Sequence, residues 1–68
     1  MVYEGGHMLK FEDFIKAIDK DIRVEIYNKI GDPMYNGKLR NLTYFPEFVM
    51  KISPQHTSRE VYLEIYTY

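Results

Sequence analysis

The spacing of the apolar residues changes once along the chain, and this change separates a helical part from a strand-forming part. In residues 9–20, apolar side chains recur at helical spacing: Phe11, Phe14, Ile15 and Ile18. From Ile22 onward, apolar and polar residues alternate, which is typical of half-buried strands. The sequence therefore predicts one amphipathic helix of about three turns, followed by strands.

Turn signals divide the second part into four predicted strands: 21–28, 34–42, 48–53 and 59–68. Gly31–Pro33 marks the first turn, Pro46 lies in the second connection, and Pro54–Ser58 forms the third. Short connections favour antiparallel neighbours. We therefore expect an α+β fold, with an N-terminal amphipathic helix before a four-stranded, strongly bent antiparallel sheet or a small barrel. Gly37, inside the second strand, favours the bent form.

One hydrophobic core is expected from the helical stripe and one face of the strands. Its predicted members are Phe11, Phe14, Ile15, Ile18, Ile22, Val24, Ile26, Leu39, Val61, Leu63 and Ile65. In the third strand, Phe48, Met50 and Ile52 share a phase.

The last strand is strongly β-prone, so either other strands close on it or it forms a contact edge that pairs with a target or a second copy.

The first seven residues are not expected to belong to the folded domain. Gly5-Gly6-His7-Met8 is similar to a cloning junction, with Met8 as the natural start. We expect residues 1–7 to be a tag scar or a disordered leader, and residues 8–68 to form a single α+β domain. No apolar run approaches the roughly 18 residues of a membrane span, so the predicted location is the cytoplasm.

Charge and residue types exclude several functions. Nine Lys and Arg stand against ten Asp and Glu, which gives no electrostatic case for nucleic acid or an acidic membrane. Cysteine is absent, so thiol chemistry is excluded. His56, Thr57 and Ser58 form the one neighbourhood with imidazole and hydroxyl groups, and we interpret it as a solvated loop. No catalytic, cofactor or metal site is predicted, and the chain is not expected to be an enzyme.

The tyrosines are the most informative residues. Tyr62, Tyr66 and Tyr68 share one face of the last strand with Glu64, and Tyr27 shares its phase with Arg23 and Glu25. If the apolar phase faces the core, these side chains face outward. They either stiffen the sheet by cross-strand pairing or form a contact surface. The candidate partner-binding residues are Arg23, Tyr27, Tyr62, Glu64, Tyr66 and Tyr68.

Two apolar turns leave a similar choice open. We expect Ile30 and Met34 to fold back over the end of the core, and the alternative is that they form a small exposed patch. In the second connection, we expect Phe45 to be buried and Tyr44 to be more open.

Residues 24–42 resemble part of the Sm-like small barrels. Val24-Glu25-Ile26-Tyr27 is similar to an alternating strand of that family, and Tyr35-Asn36-Gly37-Lys38-Leu39 to its hydrophobic-x-Gly-x-Leu strand. The resemblance implies a small Sm/SH3-like barrel. It does not imply the family's RNA site, because Thr43 and Glu47 stand where the family has its Asp and Asn. The family's Ile-Arg-Gly stretch is also missing.

The chain also loosely resembles small proteins of phages and mobile elements, such as anti-CRISPR inhibitors. We therefore predict a small non-catalytic protein-binding module, acting as such an inhibitor or regulator by docking on a target protein. Its expected partner is another protein or a second copy, and not a membrane. The alternative is an Sm-like or OB-like binder of single-stranded nucleic acid or nucleotides. It would use the tyrosines together with Arg23, Lys38, Arg40, Lys51 and Arg59.

Overall fold

The computed structural model describes residues 9–68, so the expected leader, residues 1–7, lies outside the described part of the chain. In chain order the elements are β1 (Leu9–Lys10), α1 (Phe11–Lys16), β2 (Arg23–Tyr27), β3 (Pro33–Lys38), a 3-10 turn (Leu39–Asn41), β4 (Phe48–His56) and β5 (Val61–Thr67). The strands form one five-stranded sheet in the order β1-β4-β5-β2-β3. Among the described residues, no helix is long and apolar enough to cross a membrane.

The sheet is mixed, so the predicted four-stranded antiparallel sheet or small Sm/SH3-like barrel is wrong. Strands β2 and β5 pair in parallel, whereas β1 with β4, β4 with β5 and β2 with β3 pair antiparallel. The connections after β2 and after β4 produce antiparallel hairpins, as expected, but β3 and β4 are not neighbours in the sheet. The parallel pair arises because β5 inserts between β4 and β2, two strands that are not joined by a short turn.

The C-terminal strand is a central strand and not an edge. Strand β5 pairs with β4 on one side and with β2 on the other. The prediction of a contact edge at this strand is therefore wrong, and closure by other strands of the same sheet is confirmed. The edges of the described sheet are β1 and β3.

Helix α1 is six residues long, not the twelve of the predicted segment 9–20. At its start, Leu9 and Lys10 form strand β1 against β4. At its end, the N–H of Ala17 donates to the carbonyl of Phe14 over 3.1 Å. Two residues later, the carboxylate of Asp19 accepts the N–H of Asp21 over 2.8 Å. Such a local bond competes with helical hydrogen bonding, which accounts for the early end of the helix.

The hydrophobic core lies between one face of the sheet and the segments that cross it. Its buried members are Phe11, Phe14, Val24, Ile26, Leu39, Leu42, Val49 and Ile65. Leu63, Ile15, Ile18 and Ile22 are partly buried against them. The predicted core is thus confirmed, except at Val61, which begins β5 and is 55% exposed.

The phase predicted for β4 is confirmed at Ile52, which packs against the core, but it is wrong before that residue because of a bulge. The register between β4 and β5 shifts between Val49 and Lys51, so Val49 pairs with Thr67 and Ile52 with Ile65. The extra residue, Met50, is exposed. An inserted residue reverses the alternation after it, and the sequence pattern therefore missed Val49 as a core residue. Strand β4 also continues to His56, into the first part of the segment 54–58 that was predicted to be a loop.

Strand β3 ends at Lys38, before the predicted end at residue 42, and a 3-10 turn follows. Gly37 serves the packing of Tyr35 and not a barrel. The hydroxyl oxygen of Tyr35 lies 2.8 Å from where a Cβ atom on Gly37 would be. That hydroxyl also donates to the carbonyl of Lys38 over 2.7 Å. A side chain at residue 37 would displace the ring.

The two apolar turns are exposed. Ile30 is 74% exposed and Met34 is 50% exposed, so the prediction that they fold back over the core is wrong and the alternative, an exposed patch, is correct. Phe45 was expected to be buried and is also exposed, although its ring centroid lies 6.1 Å from that of Phe11. Tyr44 was predicted to be the more open of the two, but it is 37% exposed and therefore less open than Phe45 at 60%, so that prediction is also wrong.

Two substitutions in β5 test the position of the core. Ile65 is fully buried between β4 and β2, and its replacement by Ala is expected to lower the free energy of unfolding by about 2–5 kcal/mol. Val61→Ala lies on the same face of the same strand, but at its exposed end, and should cost less than about 0.5 kcal/mol. Urea denaturation measures both values, and equal losses would contradict the described core.

Candidate functional site

Apart from Tyr68, the predicted contact residues lie on the face of the sheet opposite the core. Side chains alternate along a strand, so Val24 and Ile26 face the core while the residues between and beside them face away. We call this second surface the open face. Its centre is formed by Arg23, Glu25 and Tyr27 of β2 with Tyr62, Glu64 and Tyr66 of β5, and its flanks by Asn36, Lys38, Lys51, Ser53 and Gln55. All six central side chains are half-buried.

The parallel register of β2 and β5 sets these six side chains in three pairs, which we call the β2–β5 ladder. Arg23 lies opposite Tyr62, Glu25 opposite Glu64, and Tyr27 opposite Tyr66. The ladder therefore has a cation beside a ring, a carboxylate beside a carboxylate, and a ring beside a ring.

Arg23 is held from several sides. Its guanidinium carbon lies 3.9 Å from the centroid of the Tyr62 ring, which is a cation–π contact. Its Nη1 donates to Glu25 over 2.6 Å and to Asn36 over 2.9 Å. Its Nε donates to Glu60 over 2.5 Å. The two carboxylates raise the pKa of Arg23 above its usual range, so this side chain is a fixed positive charge on the open face.

The middle pair places two carboxylates on adjacent strands, an arrangement that is destabilising when the charges lie directly opposite. Glu25 is compensated: Arg23 and then the hydroxyl of Tyr27, which donates over 2.8 Å, lower the pKa of Glu25. Glu64 receives only longer bonds, from Tyr66 over 3.3 Å and from Gln55 over 3.4 Å. Within residues 9–68, no cationic side chain forms an ion pair with Glu64. A negative charge therefore stays at the centre of the open face.

The third pair is an aromatic stack. The ring centroids of Tyr27 and Tyr66 lie 5.0 Å apart, with 18° between the ring planes. The hydrogen bond to Glu25 raises the pKa of Tyr27 to about 12. Burial, and then the charge of Glu64, raise the pKa of Tyr66. Both hydroxyls therefore stay neutral hydrogen-bond donors at physiological pH, and the stacked rings form an apolar surface beside them.

Tyr68 does not belong to this face, although the sequence placed it there. It follows the last residue of β5, and its N–H donates to the carbonyl of Phe48 over 3.1 Å. Its side chain lines a groove at the end of the sheet, together with Ile30 and Met34. The structure thus brings together every predicted site residue except Tyr68.

Three residues that contact the ladder were not predicted. Gln55 of β4, Asn36 of β3 and Glu60 of the β4–β5 turn form hydrogen bonds to its charged groups. For Gln55 and Asn36, alternation along the strand would have indicated an outward face. Which of them meet Arg23 or Glu64 depends on strand order, for which the sequence carries no local signal.

The residues after His56 form a turn. The N–H groups of Arg59 and Glu60 donate to the hydroxyl oxygen of Thr57 over 3.2 and 3.1 Å. Thr57 thereby holds the β4–β5 turn. In the described part of the chain, no group of three metal-binding side chains is found.

Tyr27 is expected to ionise late. The contribution of Tyr27 to the ultraviolet titration is the part that disappears in a Tyr27→Phe variant. This part should be centred near pH 12, because the phenolate form of Tyr27 would lose its hydrogen bond to the Glu25 carboxylate. Since the pKa is raised on folding, the bond stabilises the fold fully below the unfolded pKa of 10 and is lost as the pH rises through about 12. Ultraviolet titration of wild type and variant measures the difference. A Tyr27 contribution centred near pH 10 in the wild type would contradict the hydrogen bond. In a Glu25→Gln variant, which lacks the carboxylate, we expect the Tyr27 contribution to shift to near pH 10.

Comparisons with protein-family models, with curated proteins and with solved structures gave no match for this chain. The candidate site therefore rests on the geometry of the open face.

Proposed function

We propose that the protein is a small non-catalytic binding module that docks a partner protein on its open face. It acts in the cytoplasm as an inhibitor or regulator of that partner, in the manner of small proteins of phages and mobile elements. The observation that carries the proposal is the β2–β5 ladder, in which two carboxylates lie between stacked tyrosines and a fixed arginine.

The order of the open face before binding supports docking. Tyrosine and arginine are enriched among residues that dominate binding energy. A partner normally has to immobilise such side chains, at a cost of about 0.5–1.5 kcal/mol each. Here Arg23 is already held by Glu25, Glu60 and Tyr62, and Tyr27 is stacked on Tyr66. Much of that cost is therefore met within the free protein.

The charge at the centre indicates the chemistry of the partner. Glu64 lies beside Glu25 and lacks an ion pair within the described chain. A lysine or arginine side chain of a partner would relieve this repulsion. Local features that lower stability without a compensating contact are typical of functional sites. We therefore expect a partner with a basic residue at the centre of its docking surface.

Binding of single-stranded nucleic acid is the second candidate function. Tyrosine rings beside Arg23, Lys38 and Lys51 are the residue types that such proteins use. The carboxylates of Glu25 and Glu64 oppose it, because they lie between those cations and would repel phosphates. Arg40, which was counted with the basic set, forms an ion pair with Asp21 over 2.5 Å.

Site-specific photocrosslinking tests the proposal. A benzophenone amino acid is placed at Lys51, on the flank of the open face, and as a control at Lys16, which is exposed on α1. We expect one cellular protein to crosslink from position 51 and not from position 16, and the purified protein to bind the wild-type chain. Low-salt binding to a mixed oligonucleotide that is lost in a Tyr62→Ala variant would contradict the proposal and support the second candidate.

Replacing Glu64 by Gln is expected to separate binding from stability. The variant keeps the size of the side chain and removes the like-charge pair, so the free energy of unfolding should rise by about 0.2–1 kcal/mol. Affinity for the crosslinked partner should fall by about tenfold or more, because the partner's cation loses its counter-charge. Urea denaturation and calorimetric titration measure the two effects.

Glu12→Gln is the matched control, since Glu12 is an exposed glutamate on α1, away from the open face. It should leave partner affinity unchanged. A Glu64→Gln variant that binds the partner as tightly as wild type would show that the carboxylate pair is not part of the docking site.

A further inference from the structure

An apolar groove lies at the end of the sheet and is distinct from the open face. It has a volume of about 400 Å³, and its walls include Ile30, Met34, Tyr44, Pro46 and Tyr68, with Lys29 among the lining residues. Volumes of roughly 300–1,000 Å³ are typical of clefts that bind small molecules. This groove lies near the lower limit, so it has room for one or two large apolar side chains.

Hydrogen bonds in the turn after β2 hold the exposed apolar residues in place. The side-chain oxygen of Asn28 accepts the N–H of Ile30 over 3.1 Å and the N–H of Asp32 over 2.9 Å. Two backbone bonds close the same turn, and Gly31 adopts a φ of 91°, which a larger residue rarely does. The exposure of Ile30 is therefore imposed by a defined turn.

One cation lies at the groove. Lys29 is the one charged side chain among the lining residues, and its ammonium nitrogen lies 5.6 Å from the centroid of the Tyr68 ring. An acidic group next to an apolar anchor would pair with Lys29 at this position. We therefore expect an occupant that carries a negative charge beside its apolar side chain, and not a purely apolar segment.

We propose that this groove binds a polypeptide segment of a partner, with one large apolar side chain between Ile30, Met34 and Tyr68 and an adjacent Asp or Glu paired with Lys29. Residues that dominate binding energy typically fill well-packed pockets from which water is excluded. The groove proposal goes beyond the docking function of the open face, and either surface can be correct without the other.

Selection from a phage-displayed library of random peptides tests this proposal. The wild-type chain is the bait, and the enriched peptides are synthesised and measured by fluorescence anisotropy. We expect them to share a large apolar residue next to Asp or Glu. Their affinity should fall by about tenfold or more in an Ile30→Ser, Met34→Ser variant. It should fall by a smaller factor, about threefold or more, in a Lys29→Ala variant.

Two controls locate the binding. Met50→Ser removes an exposed apolar residue outside the groove, and Tyr62→Ala alters the open face; neither should weaken the peptides. Since Ile30 is 74% exposed, Ile30→Ser alone serves as a second variant if the double variant does not fold.

Four results would overturn the groove proposal. They are a failure to enrich any peptide, enrichment of peptides without an acidic residue, loss of binding only in Tyr62→Ala, and self-association of the wild type that the groove variant abolishes. The third would instead support the open face as the docking surface. The fourth, seen by sedimentation equilibrium, would make a second copy of the chain the occupant.

Discussion

The parallel pairing of β5 with β2 decides what each face of the sheet carries. On one face it joins Ile26 to Ile65 in the core, and on the other it joins Glu25 to Glu64 in the open face. A shift of one residue between the strands would turn carboxylates toward the core and apolar residues toward solvent. The register that buries these apolar residues therefore also places the carboxylates of Glu25 and Glu64 next to each other. This unfavourable pair lies beside the stacked rings of Tyr27 and Tyr66.

Much of the site was predictable from local alternation. The side-chain period of a strand is a local property, so the phases of Arg23 and Tyr27 in β2, and of Tyr62 and Tyr66 in β5, could be assigned without knowledge of the partner strands. The same reasoning identified the core of these two strands. It required only that the apolar phase face inward, which Val24 and Ile65 confirm.

Other features depend on contacts that are distant in sequence or on hydrogen bonds that composition does not reveal. Strand order placed β5 at the centre, and neither turn length nor β-propensity encodes that choice. The bulge at Met50 changed the phase of β4, and the carboxylate of Asp19 helped to end α1 where apolar spacing alone would have continued it. At Ile30, the apolar side chain favoured burial over the end of the core, whereas the bonds to Asn28 fix a turn that leaves it exposed.

The most direct test of the account is the pairing of β5, measured by nuclear magnetic resonance in solution. We expect amide-to-α-proton contacts of the parallel type between residues 23–27 and 62–66, contacts between the rings of Tyr27 and Tyr66, and slow amide exchange toward both neighbours of β5. A β5 strand with contacts to β4 alone, and with rapidly exchanging amides on its other side, would contradict the ladder and the open face built on it.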